Sequence, residues 1–143
     1  MAQIELSLGQ ILDLEAELNG YTNPQTNERL FEGFLKEKIS LTVKYHLSKL
    51  SDELKKERET VEKLKNDLIN ELGTPKENGT ISVDMFDDDD KTKLSPKFIE
   101  FQQKYVELIN ETRTIEYQPI PISVLENITS EYNYVILYKL IQE

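Results

Sequence analysis

Residues 41–72 read LTVKYHLSKLSDELKKERETVEKLKNDLINEL, and their spacing decides how the rest of the chain must be arranged. Apolar residues fall at Val43, Leu47, Leu50, Leu54, Val61, Leu64 and Leu68. This is heptad spacing, with Leu47, Leu54, Val61 and Leu68 in one row and Val43, Leu50 and Leu64 in the other. The slot between Leu54 and Val61 holds Glu57, so the seam weakens at its middle. Helix formers fill the outer positions, and neither Gly nor Pro interrupts the run. Roughly 30 residues at about 1.5 Å each make a rod of about 45 Å. Lys49 with Glu53, Asp52 with Lys56, Lys55 with Glu59, Arg58 with Glu62 and Glu59 with Lys63 are opposite charges one helical turn apart. Each adds only about 0.2–0.5 kcal/mol. Gly73 and Pro75 stop the helix.

A helix with one apolar stripe must cover it. The expected cover is an antiparallel helix of the same chain. A parallel homodimer is the competing arrangement, and the Glu57 gap counts against a long one. The expected partner spans residues 96–112. Ser95 is its cap, Pro96 stands at the first helical position, and Leu94 and Ile99 are spaced as a hydrophobic staple. Phe98, Phe101, Tyr105, Leu108 and Ile109 share one side of it. The acidic connection at 74–94 gives the chain room to reverse.

The remaining elements are short. Residues 3–6 alternate as a strand. Ser7 and Gln10 form a capping box for a helix with Ile11, Leu14 and Leu18 on its buried face, ended by Gly20. Residues 21–28 read as a polar connection. Leu30, Phe31, Phe34, Leu35 and Ile39 fall at helical spacing, and a helix–loop–helix over 8–39 could cover one end of the rod; Ser40 caps the long helix. Ile81, Val83 and Met85 alternate, as do Ile115 and Tyr117, giving two more strands. Pro119 and Pro121 bar a central sheet position. Ser123 and Glu126 form a second capping box for a short helix near Val124, and 129–133 breaks it. Tyr134, Leu137, Tyr138 and Ile141 outline a terminal helix. The fold class is therefore α+β and mainly helical: a single domain over 1–143, with the arm at 41–72 paired with 96–112 and a small sheet with short helices at one end.

Composition narrows the function. The 143 residues carry a formal charge of -10, with one His and neither Cys nor Trp. Disulfides, thiolate chemistry and Cys-based zinc sites are excluded. The negative charge opposes direct binding to nucleic acid and to anionic membranes. No apolar run is long enough to span a bilayer, and residues 1–8 lack a secretion signal. No glycine-rich phosphate loop or nucleophile elbow appears. The expectation is a non-enzyme with no cofactor.

Three groups stand out as site candidates. Asp87, Asp88, Asp89 and Asp90 form a charge run whose plain reading is a solvated loop. Its functional readings are contact with a basic partner or a weak cation site; a calcium-binding hand would need the central Gly and closing Glu that residues 84–95 lack. Tyr117, Tyr132, Tyr134 and Tyr138 suit partner binding, because tyrosine offers an apolar ring and a polar tip. Core packing is the plainer role for most tyrosines. The helix seam, Leu47, Leu50, Leu54, Val61, Leu64 and Leu68, is assigned to fold integrity. His46 is a lone surface or rim histidine. Glu57 either widens the seam or meets a group on the returning chain.

The run FLKEKISLTVKYHLSKL at 34–50, the helix end Asn70-Glu71-Leu72-Gly73, and Ile120-Pro121-Ile122-Ser123-Val124-Leu125-Glu126 together resemble a group of small uncharacterised tailed-phage proteins. In these, a Leu-Pro-Val-Lys-type segment enters a long central helix and a Pro-Ile-type segment closes the chain. Here Thr42 replaces the proline before Val43, and the acidic insertion departs from the pattern. The resemblance implies a phage origin and a virion or assembly role, and carries no catalytic residues. The expected function is a phage structural, connector or assembly accessory protein that contacts phage or host proteins, or forms a homo-oligomer within an assembly. It would be made in the host cytoplasm, with the virion as a further destination. The rival readings are an acidic regulator that inhibits or sequesters an enzyme and, more remotely, a metal-dependent hydrolase.

Overall fold

Leu41–Leu72 is one continuous helix, α2, of 32 residues in the computed structural model, which describes residues 2–23, 25–87, 89–127 and 134–142. Ser40 caps it: Val43 N–H donates to Ser40 Oγ at 3.2 Å, and Lys44 N–H donates to the Ser40 carbonyl at 2.9 Å. At the far end Gly73 N–H donates to the Ile69 carbonyl at 2.6 Å. Internal contacts divide the chain into two compact units, Met1–Arg58 with Thr112–Glu143, and Glu59–Glu111. The division falls inside α2, just past the Glu57 slot.

In the first unit, strand β1 (Ala2–Ser7) runs straight into helix α1 (Leu8–Asn19). The expected capping box is in place: Gln10 N–H donates to Ser7 Oγ at 3.1 Å and Ser7 N–H to Gln10 Oε1 at 3.0 Å. Gly20 ends α1 at φ +91°, and a Cβ there would collide with the Arg29 guanidinium and the Phe31 carbonyl. Arg29 Nη2 donates to the Asn19 carbonyl at 2.6 Å. That satisfies an orphan carbonyl and sets a cation at the negative end of the helix dipole.

Residues 21–39 correct the sequence reading. The polar connection contains β2 (Tyr21–Thr22), which pairs antiparallel with β3 (Arg29–Phe31), and a 3-10 turn follows at Phe34–Lys36. The helical spacing from Leu30 onward does not become an α-helix because Gly33 sits at φ +98°, packed against the end of α1. Of that run, Phe34 alone is fully buried.

The first half of α2 takes α1 as its neighbour, not residues 96–112. Asn19 Nδ2 donates to Ser51 Oγ at 2.8 Å, and Arg58 Nη1 donates to Glu15 Oε1 at 2.7 Å. The contacts run in opposite chain order, so the two helices are antiparallel. Leu47, Leu50 and Leu54 of α2 are buried, as are Ile11, Leu14 and Leu18 of α1. Strand β6 (Thr112–Tyr117) pairs antiparallel with β1, setting Ile4 opposite Ile115. Glu57 meets the returning strand, 3.4 Å from Arg113 Nη2.

The C-terminal segment is also corrected. A short 3-10 helix spans Ile122–Asn127, another spans Leu137–Leu140, and β8 (Ile141–Gln142) then pairs in parallel with β7 (Ile120–Pro121). Leu137 and Leu140 are buried and three apart, the period of a 3-10 turn, whereas Tyr138 of the expected α-helical face is exposed. Glu17 holds this turn. Its carboxylate accepts the Ile136 N–H at 3.1 and 3.2 Å and the Leu137 N–H at 3.1 Å. The expected break at 129–133 lies outside the described residues.

The second unit contains the rest of α2, a small hairpin of β4 (Thr74–Pro75) with β5 (Ile81–Ser82), and helix α3 (Pro96–Ile109). Beyond β5 the expected strand gives way to a single bridge between Phe86 and Leu94. Phe98 N–H donates to Ser95 Oγ at 3.1 Å, so the cap is as expected, and α3 ends three residues early because Thr112 begins β6. Lys65 Nζ lies 5.4 Å over the Tyr105 ring and Lys104 Nζ 4.0 Å from Glu71, which sets α3 beside the end of α2 in antiparallel order. The fold is thus α+β and mainly helical, with helix–helix packing. Among the described residues its strands form four separate two-stranded pairs rather than one small sheet.

Candidate functional site

Burial differs sharply between the units. In the second, Val61 and Leu72 are the buried hydrophobic residues, and none of α3 is buried. Leu64, Ile81, Met85, Phe86, Leu94, Ile99 and Val106 are all exposed. Single exposed apolar residues are ordinary; here a set of them falls in one small unit.

The acidic run organises one end of that surface. Asp87 Oδ1 accepts the Asp89 N–H at 2.8 Å and the Asp90 N–H at 3.4 Å. Asp90 Oδ1 accepts the Thr92 N–H at 3.0 Å and the Thr92 hydroxyl at 2.5 Å. These are the local turns that short carboxylates favour. They close a loop whose arms meet through Asp87 N–H to the Lys93 carbonyl at 2.9 Å and Ser95 N–H to the Met85 carbonyl at 2.9 Å. Ser95 serves twice: its Oγ accepts from α3 and donates to the Asp84 carbonyl at 2.5 Å, tying loop to helix.

The Thr92 hydroxyl and N–H hold the Asp90 carboxyl below its ordinary value, and Lys76, then Thr74, does the same for Asp84. Both stay ionised near neutrality. Asp88 lies outside the described residues. Among those described, no three His, Cys, Asp or Glu side chains converge to hold a metal ion.

The apolar residues continue from this loop along α3. Phe86 and Leu94 are directly cross-strand and so share a face. Leu94 and Ile99 occupy the two staple positions about the Ser95 cap, and Val106 lies two turns beyond Ile99, about 10 Å along the axis. These four are between 41 % and 49 % exposed. An open cleft of about 380 Å³ adjoins them, lined by Leu72, Phe86 and Pro96 together with Asp84, Asp87 and Asp89.

The described tyrosines of the candidate set, Tyr117, Tyr134 and Tyr138, are not gathered into a surface patch. Tyr134 is fully buried, its ring edge-on to Phe34 at 5.1 Å and tilted to Phe31 at 5.5 Å. It is a core residue, which corrects its assignment to partner binding: an aromatic in a Leu- and Phe-lined site is held by packing. Tyr117 is half-buried in β6 opposite Ala2, Tyr138 is exposed, and Tyr132 lies outside the described residues. His46 lines a groove of about 130 Å³ with Val43, Pro119 and Pro121, as a rim residue would. Of the seam, Leu47, Leu50, Leu54 and Val61 are buried, Leu68 is half-buried and Leu64 is 45 % exposed.

Two residues are absent from the sequence reading. Val106 was readable: with Ile99 it widens the apolar arc of α3 beyond the side marked by Phe98 and Tyr105. Glu17 was not, because nothing local distinguishes it from the exposed acids. Its carboxyl is pushed above the ordinary range, chiefly by burial, against the lowering effect of the backbone N–H donors.

No described helix is long and apolar enough to cross a membrane. No protein-family model, curated protein sequence or solved structure matches this chain.

Proposed function

We propose that this chain is a structural, connector or assembly accessory protein of a tailed phage that acts through protein–protein contacts. The observation that supports the contact reading is that the second unit exposes Leu64, Ile81, Met85, Phe86, Leu94, Ile99 and Val106 while burying only Val61 and Leu72 of its described hydrophobic residues. The phage reading rests on the sequence resemblance of residues 34–50, 70–73 and 120–126. The fitting experiment is mass spectrometry of purified particles. Peptides of this chain at a fixed, symmetric copy number are expected.

Charge favours a second reading. Of the 27 acidic and 17 basic residues, 13 and 7 fall in Glu59–Glu111, a net of -6. An acidic regulator that occupies the basic site of an enzyme would use such a surface. Absence from the particle, with expression during infection, would favour it over the structural role.

A further inference from the structure

We infer that Asn78 is a self-modification site: its side-chain amide closes onto the Gly79 backbone nitrogen, and the ring then opens to aspartate and isoaspartate. The inference goes beyond the protein-contact reading and does not depend on it. Asn precedes Gly twice in this chain, at Asn19-Gly20 and at Asn78-Gly79. Glycine has no side chain to shield its nitrogen, so sequence alone leaves both pairs open to this reaction. The structure separates them.

Asn78 stands in the turn between β4 and β5, closed by Gly79 N–H to the Lys76 carbonyl at 3.0 Å and Lys76 N–H to the Thr80 carbonyl at 2.7 Å. Residues 75–80 are exposed, and a Cβ at Gly79 would meet nothing within 4 Å. Each strand of the hairpin is two residues long, so the hold on the Gly79 nitrogen is local and opens without the rest of the fold. The Asn78 amide is also held for the reaction. Its Oδ1 accepts the Thr80 N–H at 3.1 Å and the Thr80 hydroxyl at 2.6 Å. Negative charge develops on that oxygen as the nitrogen attacks, and donors already in place stabilise the charge more than they stabilise the neutral amide. Nδ2, the leaving nitrogen, has no hydrogen-bond partner among the described residues.

Asn19 carries the same dipeptide in the opposite state. Its Nδ2 donates to Ser51 Oγ at 2.8 Å, to the Glu15 carbonyl at 3.1 Å and to Glu15 Oε1 at 3.3 Å. Ser51 and Glu15 are both buried. Gly20 N–H donates to the Ala16 carbonyl at 2.7 Å, which locks the attacking nitrogen into the end of α1. Loss of ammonia there breaks the Nδ2 bonds and needs the helix end to open.

The reaction balances with water as its sole co-reactant. Solvent base takes the Gly79 amide proton as the nitrogen bonds to Asn78 Cγ. The Cγ–Nδ2 bond breaks, and Nδ2 takes a proton from water and leaves as ammonia. One water then opens the succinimide. Cleavage at Cγ leaves aspartate at position 78. Cleavage at the main-chain carbonyl leaves isoaspartate, whose backbone runs through Cβ and breaks the pairing of the turn. Either product adds a negative charge.

The test is peptide mapping of the full chain by electron-transfer mass spectrometry, after incubation at mildly alkaline pH below its melt, with a parallel sample in urea. In the native chain, conversion at Asn78 is expected to be at least about tenfold faster than at Asn19, and urea should bring the two rates together. Thr80→Val should slow native conversion at Asn78 at least about threefold, with the rate at Asn19 unmoved as the internal reference. Equal native rates, faster conversion at Asn19, or an intact Asn78 would overturn the proposal. A difference that persists in urea would overturn its structural basis. An unchanged or faster rate in Thr80→Val would overturn the role given to Thr80.

Discussion

The two halves of α2 carry the same heptad pattern and end in different surroundings. Before the Glu57 slot, Leu47, Leu50 and Leu54 are buried, in the unit where α1 is hydrogen-bonded to α2 and the C-terminal turn is tied to α1. After it, Val61 is buried while Leu64 is 45 % exposed, and the neighbouring α3 buries none of its residues. A heptad specifies a stripe, and says nothing of how much cover the stripe receives. In the first unit the cover comes from several directions. In the second it comes from one short helix and a hairpin, and of the described hydrophobic residues only Val61 and Leu72 are buried.

The largest expected effects come from the first unit. Tyr134→Ala removes a fully buried ring from its contacts with Phe31 and Phe34 and should cost about 3–5 kcal/mol in urea denaturation. Leu54→Ala should cost about 2–5 kcal/mol. Ile99→Ala and Val106→Ala should each cost under about 1 kcal/mol, since both side chains are already substantially exposed. Comparable losses in the two units would break the comparison.

Glu17 gives the next effect. Glu17→Ala strands two buried N–H donors of the C-terminal turn and should cost about 2–4 kcal/mol. Its pH dependence has a definite sign. The folded-state value lies above the ordinary 4.5, mainly through burial, so the folded chain holds this proton more tightly than the unfolded one. The stability contributed by this titration is complete below 4.5 and is lost as pH rises through the folded value. Against Glu17→Gln, which does not titrate, the wild type should lose relative stability over that rise. A relative gain would contradict the assignment.

Ser95→Ala sharpens the comparison from the other side. It removes both the α3 cap and the bond to Asp84. A loss of about 1 kcal/mol is expected, confined to faster hydrogen exchange in the second unit. Asp90→Asn should change global stability by no more than about 0.5 kcal/mol, because the turn it closes is exposed.

Much of this was legible in the sequence. The bounds of α2, the Ser7, Ser40 and Ser95 caps, the Gly20 stop, the strand at 112–117 and Pro96 at the start of α3 all follow from local rules, since each depends on a few adjacent residues; the second capping box does not, because Ser123 falls inside the 3-10 helix Ile122–Asn127. What failed depended on distant ones. Whether Phe34 belongs to a helix is decided by Gly33 packing on the end of α1. Whether Tyr134 faces solvent is decided by Phe31 and Phe34, about a hundred residues earlier. The cover of Leu47 and Leu54 was only half legible, because any amphipathic helix could have supplied it: the segment over 8–39 and α3 both qualify, and α1 takes the first half of α2 while α3 lies beside its end. The candidate surface was half legible: the aspartates, Leu94 and Ile99 were prominent, but their exposure is a property of what does not cover them.

The most direct test of the contrast is native-state hydrogen exchange by mass spectrometry on the full chain. Strong protection is expected in α1, in residues 41–58 of α2 and in the β1–β6 pair, with markedly weaker protection in residues 59–72 and throughout α3. Uniform protection along the whole of α2, with α3 protected to the same degree as α1, would contradict it.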